Sequence, residues 1–177
     1  MLRHTARDTR RTRKGRTVRR VSGTGVIVSI LSVIGAPAHA AGSIPLRLAG
    51  TINESPTPDA SCGGMRNETH GLLKGTLGQT RWSSAECIDA TAEPGSFVIR
   101  DGRFVLKTSQ GSLTGTLDGH ASGPNARGHL YFSGRFSITN GSQRYKGAKG
   151  SGLAVADVNL SANTAELDLA GTLSRSR

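Results

Sequence analysis

Aromatic residues, cysteines and long apolar runs are all scarce in this chain, and each shortage excludes a class of structure. The 177 residues include four Phe, two Tyr, one Trp and two Cys. The sequence contains no GxSxG, HExxH or phosphate-loop motif, so nothing indicates the hydrolase, zinc-protease or nucleotide sites that these motifs mark. The main apolar run, residues 26–38, is too short and too rich in Gly, Ser and Pro to indicate a membrane anchor.

The N-terminal region has the layout of a secretory signal. Residues 1–20 hold nine of the 23 Lys and Arg side chains, the apolar run 26–38 follows, and Ala38-His39-Ala40 then gives a small-x-small cleavage pattern. We therefore expect residues 1–40 to be a signal peptide cleaved between Ala40 and Ala41, and the protein to be secreted or located in the cell envelope. Twin-arginine export through Arg19-Arg20 is the less favoured route, because hydrophobic residues do not follow directly.

The positive charge belongs mainly to this leader. The net charge is +11 overall, but residues 1–40 carry nine basic and one acidic side chain, which leaves 14 basic and 11 acidic side chains, or +3, for residues 41–177. Nucleic-acid binding needs a basic face on the folded domain. The sequence therefore predicts no nucleic-acid partner.

Residues 41–177 are long enough for one domain with a core of its own. The two cysteines, Cys62 and Cys87, indicate one disulfide in an exported chain, with two free thiols as the alternative. Neither cysteine has a CxxC partner or a histidine at ligand spacing, so we expect no metal there and no cofactor.

The domain is predicted to be all-β. No window keeps a 3.6-residue period, and the motif Leu-x-Gly-Thr-(Leu/Ile) occurs at 48–52, 73–77, 113–117 and 169–173. A glycine between two large apolar residues on one face lets a strand bend and makes room for side chains opposite. We therefore predict a single antiparallel, mostly up-and-down barrel of about eight strands, closed by its first and last strands. The expected strands are 44–52, 70–82, 95–100, 103–108, 112–120, 129–139, 150–160 and 165–173.

Matching the apolar faces gives a provisional register. Asp101-Gly102 is predicted to be a two-residue turn, Leu117 to face Phe132, and Val158 to face Leu167. The segment 53–69, with its Pro, Gly and Cys residues, is expected to be a long loop held by the disulfide. The faces assigned to the interior hold Leu, Phe, Ile, Val, Ala and Gly, so an apolar interior is predicted.

The run Phe136–Gly152, FSITNGSQRYKGAKGSG, resembles the "GTGRYAGATGSG"-type stretch of the allene oxide cyclase and dirigent-like barrel superfamily, including its secreted bacterial members. The flanking TSQGSLTGTLDG and LDLAGTL are similar to neighbouring strands in such proteins, and the likeness covers about residues 95–174. It implies an eight-stranded, often oligomeric barrel. Plant members are cyclases or guide radical coupling with polar residues in the cavity, but no position here matches those residues one by one.

The strongest candidate site lies at one rim of the predicted barrel. Asp118, His120, His129 and Tyr131 share a face there, and the expected register sets His120 opposite His129 and Asp118 opposite Tyr131. Such a group could hold a metal or act as acid and base, but its alternation with the apolar set favours a solvated outer face. We therefore treat the four as a ligand-binding hypothesis and predict no metal and no catalytic residue.

The sequence leaves three functions open. The first is an exported binding or structural protein that holds a small hydrophobic ligand in an apolar interior. The second is a cyclase or isomerase of the resembled superfamily, which would need an acidic or hydrogen-bonding residue inside the barrel. The third is a domain that acts only by oligomeric association, and a homo-oligomer is compatible with the first two as well.

Overall fold

Apolar residues at every second position close the chain into an antiparallel barrel. The computed structural model describes residues 42–174, and the eight strands in this range follow one another around the barrel in sequence order. The predicted fold class is confirmed. The strands are β1 (Ser43–Asp59), β2 (Gly64–Gly75), β3 (Gly78–Ala90), β4 (Ser96–Thr108), β5 (Gly111–Ser122), β6 (His129–Gly141), β7 (Lys149–Asn159) and β8 (Thr164–Ser174).

Two short 3-10 helices complete the described part of the chain, η1 (Ala60–Cys62) and η2 (Gln143–Tyr145). Within residues 42–174, no helix has the length and apolar character needed to span a membrane. The predicted signal peptide, residues 1–40, and its cleavage site at Ala40 and Ala41 lie outside the described residues.

The barrel closes between the two strands that carry the most similar copies of the repeated motif. β1 pairs with β8 in antiparallel fashion, with Leu48 opposite Leu169 and Gly50 opposite Leu167. The predicted closure between first and last strands is therefore confirmed. Full closure leaves no unpaired strand edge along the paired length.

Glycines on the inner face make room for aromatic rings. A Cβ on Gly115 would lie 2.5 Å from Cζ of Phe104, and one on Gly152 would lie 2.7 Å from Cε1 of Phe136. Phe104 and Phe136 in turn meet edge to face, with ring centroids 6.2 Å apart. The rings and the glycines beneath them pack the middle of the barrel, where both phenylalanines are 1 % exposed.

Two of the predicted strands, 95–100 and 103–108, are a single strand in the structure, and another predicted strand, 70–82, spans parts of two strands. Asp101-Gly102 is not a hairpin turn but a β-bulge within β4, where Asp101 takes a positive φ of 55° and the β4–β5 register shifts between Ile99 and Gly102. Conversely, the predicted strand 70–82 divides at a tight turn between Gly75 and Gly78. The two errors compensate, so the count of eight is unchanged.

The predicted long loop at 53–69 is wrong. β1 runs through to Asp59 and β2 begins at Gly64, with only η1 and Gly63 between them. Pro56 and Pro58 are compatible with this strand because β1 pairs with β8 only as far as Asn53, so beyond that residue β2 is its one partner.

The predicted faces are right for β5 to β8, but the predicted registers are wrong. Leu117 lies opposite Phe136 instead of Phe132, and Val158 lies opposite Ala165 instead of Leu167. Both displacements are even numbers of residues, so every apolar side chain keeps its inward direction.

The connection between β1 and β2 is fastened to its neighbours at two points, both at Cys62. The predicted disulfide is present and joins Cys62 in η1 to Cys87 in β3. Arg100 of β4 donates a hydrogen bond from its guanidinium to the carbonyl oxygen of Cys62 at 2.8 Å and pairs with Asp89 of β3. These contacts hold one wall of the barrel end in place.

Candidate functional site

A cavity of about 330 Å³ lies in the barrel at the end that carries the β1–β2 connection. Most of its wall is apolar and comes from all eight strands. This volume falls in the range of small-molecule pockets, which are mostly apolar with a few polar groups that fix orientation. The apolar lining includes Ile52, Trp82, Ile88, Phe97, Ile99, Leu117, Ala121, Phe132, Ala156, Val158 and Leu167.

One sector of the cavity wall is polar, which corrects the prediction of an apolar interior. Cross-strand pairing sets Asn67 of β2 opposite Glu86 of β3, and Thr69 opposite Ser84. All four side chains are less than 9 % exposed, and Glu54 of β1 joins them in the lining. Buried polar groups of this kind need partners, because an unpaired one costs about 1–3 kcal/mol.

A continuous hydrogen-bond chain satisfies these groups, and its direction is fixed at one end. The indole Nε1–H of Trp82 can only donate, and it donates to Oγ1 of Thr69 at 2.6 Å. The Ser84 hydroxyl donates its single proton to Oε2 of Glu86 at 2.7 Å. In the 2.8 Å contact between the two hydroxyls, Thr69 is therefore the donor and Oγ of Ser84 the acceptor. The chain thus ends on Glu86 as an acceptor.

Asn67 links the two carboxyl groups of the cavity. The backbone N–H of Ser55 donates to Oδ1 of Asn67 at 3.2 Å, which turns the amide nitrogen the other way. Nδ2 of Asn67 then donates to Oε1 of Glu86 at 3.0 Å and also to Oε2 of Glu54. Two carboxyls therefore converge on one amide group inside the barrel.

Burial changes the acidity of both carboxyls. The pKa of Glu86 is raised from 4.5 to about 7. Loss of hydration on burial is the main cause, and the nearby Glu54 acts in the same direction, while hydrogen bonds from Ser84 and Asn67 and the charge of Arg66 oppose the rise. The pKa of Glu54 is also raised by burial, against the hydrogen bond from Asn67. A cavity carboxyl that titrates near neutral pH can exchange a proton with a bound molecule.

The sequence does contain a signal for this site. Asn67 and Thr69, and likewise Trp82, Ser84 and Glu86, follow the period of two that places side chains on one face of a strand. The polar face was missed because 53–69 was assigned to a loop and the strand containing Trp82 was ended at that residue. Placing the β2–β3 turn at Gly75–Gly78 would have turned all five side chains inward.

The four residues predicted as a rim site lie on the outer face, and their predicted pairings are wrong. His120 lies opposite Ser133 and Asp118 opposite Arg135, while Tyr131 is 58 % exposed. Nδ1 of His129 pairs with Oδ1 of Asp157 at 2.7 Å instead of approaching His120. The structure does not assemble the predicted constellation, and residues 42–174 contain no cluster of three or more His, Cys, Asp or Glu suited to a metal ion.

A wider groove of about 900 Å³ lies at the opposite end of the barrel, near the β2–β3 and β4–β5 turns. Three exposed basic side chains, Arg81, Lys107 and Arg144, line it together with backbone and amide groups. The groove therefore has the character of a solvated basic surface.

Comparisons with protein-family models, with curated proteins and with solved structures found no match for this chain.

Proposed function

We propose that this protein is an exported binding barrel that holds one small, largely apolar molecule in the cavity that all eight strands line. The observation that carries the proposal is the composition of the cavity wall, which is apolar around most of its circumference and has one polar sector at Glu54, Asn67 and Glu86. The apolar part supplies affinity by burial, at about 25 cal/mol per Å², and the polar sector orients the ligand.

The fixed geometry of the polar sector supports binding. Every member of the chain from Trp82 to Glu86 has a partner, and the disulfide at Cys87 lies directly after Glu86 in β3. A preformed site loses less conformational entropy when a ligand binds. Membership of the allene oxide cyclase and dirigent-like superfamily is part of this proposal. It is supported by the eight-stranded barrel, by the polar residues in the cavity and by the stretch Phe136–Gly152.

Titration with 1-adamantanol tests the binding proposal, because this neutral probe combines a compact apolar body with one polar group. Trp82 is the single tryptophan of the chain and lines the cavity, so its fluorescence reports occupancy directly. We expect saturable binding to the full chain, and loss of binding in Ala156→Phe, which fills the cavity. The matched variant Ala170→Phe, at an exposed position of β8, should bind normally. Absence of saturable binding, or equal loss in both variants, contradicts the proposal.

The second candidate is an isomerase or cyclase that acts on a hydrophobic substrate in the same cavity. The observation that favours it is the carboxyl of Glu86, whose pKa of about 7 suits a general acid or base at neutral pH. An assay with an allene oxide substrate and chiral product analysis tests it. An excess of one enantiomer that disappears in Glu86→Gln supports the enzyme; racemic product with the wild-type chain contradicts it.

A further inference from the structure

We propose that the cavity selects apolar molecules that carry a protonated amine, and that Glu54 and Glu86 together bind the ammonium group. This inference rests on the proposed binding function and names the chemical class of its ligand. The proposal is based on the acidic charge of the cavity, on the direction of its hydrogen bonds and on its apolar lining.

The charged side chains that line the cavity are both acidic. Glu54 and Glu86 are the charged side chains among its lining residues. The ion pairs within residues 42–174 involve neither carboxyl. Arg66 of β2 is the cation whose field reaches Glu86, but its guanidinium pairs with Glu68, 3.4 Å away, where both side chains are substantially exposed. The cavity therefore holds acidic groups with no cation of its own.

The two carboxyls of the cavity act as hydrogen-bond acceptors. Protein donors arrive at both oxygens of Glu86, from Ser84 and Asn67, and at Oε2 of Glu54. Within residues 42–174 no protein donor reaches the other oxygen of Glu54, so lone pairs on the carboxyls remain open to a donor group in the cavity. An ammonium group has three donors and no acceptor, which matches this need.

The remaining cavity lining indicates which kind of molecular body would carry the amine. β4 to β8 contribute apolar side chains to the cavity and no charged ones. Trp82 stacks on Phe104 at a centroid distance of 5.3 Å and lines the same cavity as the two carboxyls. The body of the ligand is therefore a compact hydrocarbon or aromatic group. A carboxylate head group fits less well, because its charge would be repelled by the two acidic side chains.

Proton linkage gives the proposal a signature in the wild-type protein. Burial raises the pKa of both Glu54 and Glu86, so the pair retains a proton at mildly acidic pH. An ammonium ion replaces that proton, and its affinity should therefore rise by up to tenfold per pH unit until about pH 7 and then level off. Of the other charged groups, Arg66 shifts the midpoint downward, and β4 to β8 present none to the cavity.

Three probes with one body and different head groups test the proposal: 1-aminoadamantane, 1-adamantanol and adamantane-1-carboxylate. Binding to the full chain is measured at pH 8 by calorimetry and by Trp82 fluorescence. We expect the amine to bind at least tenfold more tightly than the alcohol, and the carboxylate to show no saturable binding. Glu86→Gln and Glu54→Gln should each reduce this preference for the amine over the alcohol, whereas Glu93→Gln at an exposed turn should leave the preference unchanged.

The outcomes separate this inference from the proposed function. Equal affinities for amine and alcohol, or tighter binding of the carboxylate, overturn the ammonium site while leaving a binding barrel. Absence of binding by all three probes overturns both. Should a Gln variant fail to fold, the pH profile of amine binding to the wild-type protein still decides, since an affinity that stays constant between pH 5 and 8 contradicts the proposal.

Discussion

The buried carboxyl of Glu86 should make the folded protein less stable as the pH rises. Its pKa lies at about 7 in the folded barrel, compared with 4.5 for an exposed glutamate. Between these values the folded state holds a proton that the unfolded state has released. The free energy of unfolding therefore falls with rising pH across this window and loses no more above about pH 7.

The size of the effect follows from the difference between the two pKa values. Each unit corresponds to about 1.4 kcal/mol, so the full loss is about 3 kcal/mol. Substitution of Glu86 by Gln removes the ionisation and nearly keeps the shape. Relative to wild type, Glu86→Gln should therefore gain about 3 kcal/mol in unfolding free energy between pH 4.5 and pH 8.

Urea denaturation at several pH values measures this gain as a difference between the variant and wild type. Glu93→Gln is the control, because Glu93 is exposed in the turn between β3 and β4 and its removal should give a difference that does not change with pH. The hydrogen bonds that Gln alters at Ser84 and Asn67 add an offset that is constant with pH. A flat profile for Glu86→Gln would refute the assignment of Glu86 as a buried, near-neutral acid.

Three further predictions concern the scaffold and the outer face. Gly115→Ala should lower the unfolding free energy by about 2 kcal/mol or more, since its Cβ would lie 2.1 Å from the carbonyl oxygen of Ser137. Gly64→Ala is the control in the same denaturation assay. It should change the unfolding free energy little, because the nearest atom to its Cβ would be 3.9 Å away. Replacing Cys62 and Cys87 by Ala should cost about 3 kcal/mol by the loop-closure relation and weaken 1-adamantanol binding, and unchanged affinity would show that the disulfide does not support the cavity. His129→Gln should leave 1-adamantanol binding intact when titrated beside wild type, because His129 belongs to the outer face.

The sequence predicted the architecture because strand faces are encoded by simple alternation. Within β5 to β8 apolar and polar residues alternate so regularly that the direction into the barrel is unambiguous. Register was not encoded in the same way, because several strands carry the same Leu, Gly and Phe spacing. An even displacement then preserves every buried side chain, and only the backbone turns decide between the alternatives.

The candidate site escaped prediction for a different reason. Its polar residues lie on β1, β2 and β3, where Pro, Asn, Ser and Glu resemble loop composition. Pairing across three strands satisfies these groups, and local sequence does not show that partners lie 13 and 19 residues away, as Glu54 and Glu86 do from Asn67. Asp101-Gly102 misled the prediction in a related way, since both a hairpin turn and a bulge use a positive φ.

The two prolines of β1 have a consequence for assembly. The backbone N–H of Glu54 points away from β2, toward the carbonyl oxygen of Asn163. Alternate residues of a strand direct their backbone amides to the same side. The amides of residues 56 and 58 would therefore point the same way as that of Glu54, along the stretch of β1 that lies beyond β8. Both residues are proline, however, and have no N–H to donate. A strand from another molecule cannot complete a regular ladder there. Copies of this barrel are therefore not expected to associate by regular extension of the sheet along this stretch of β1.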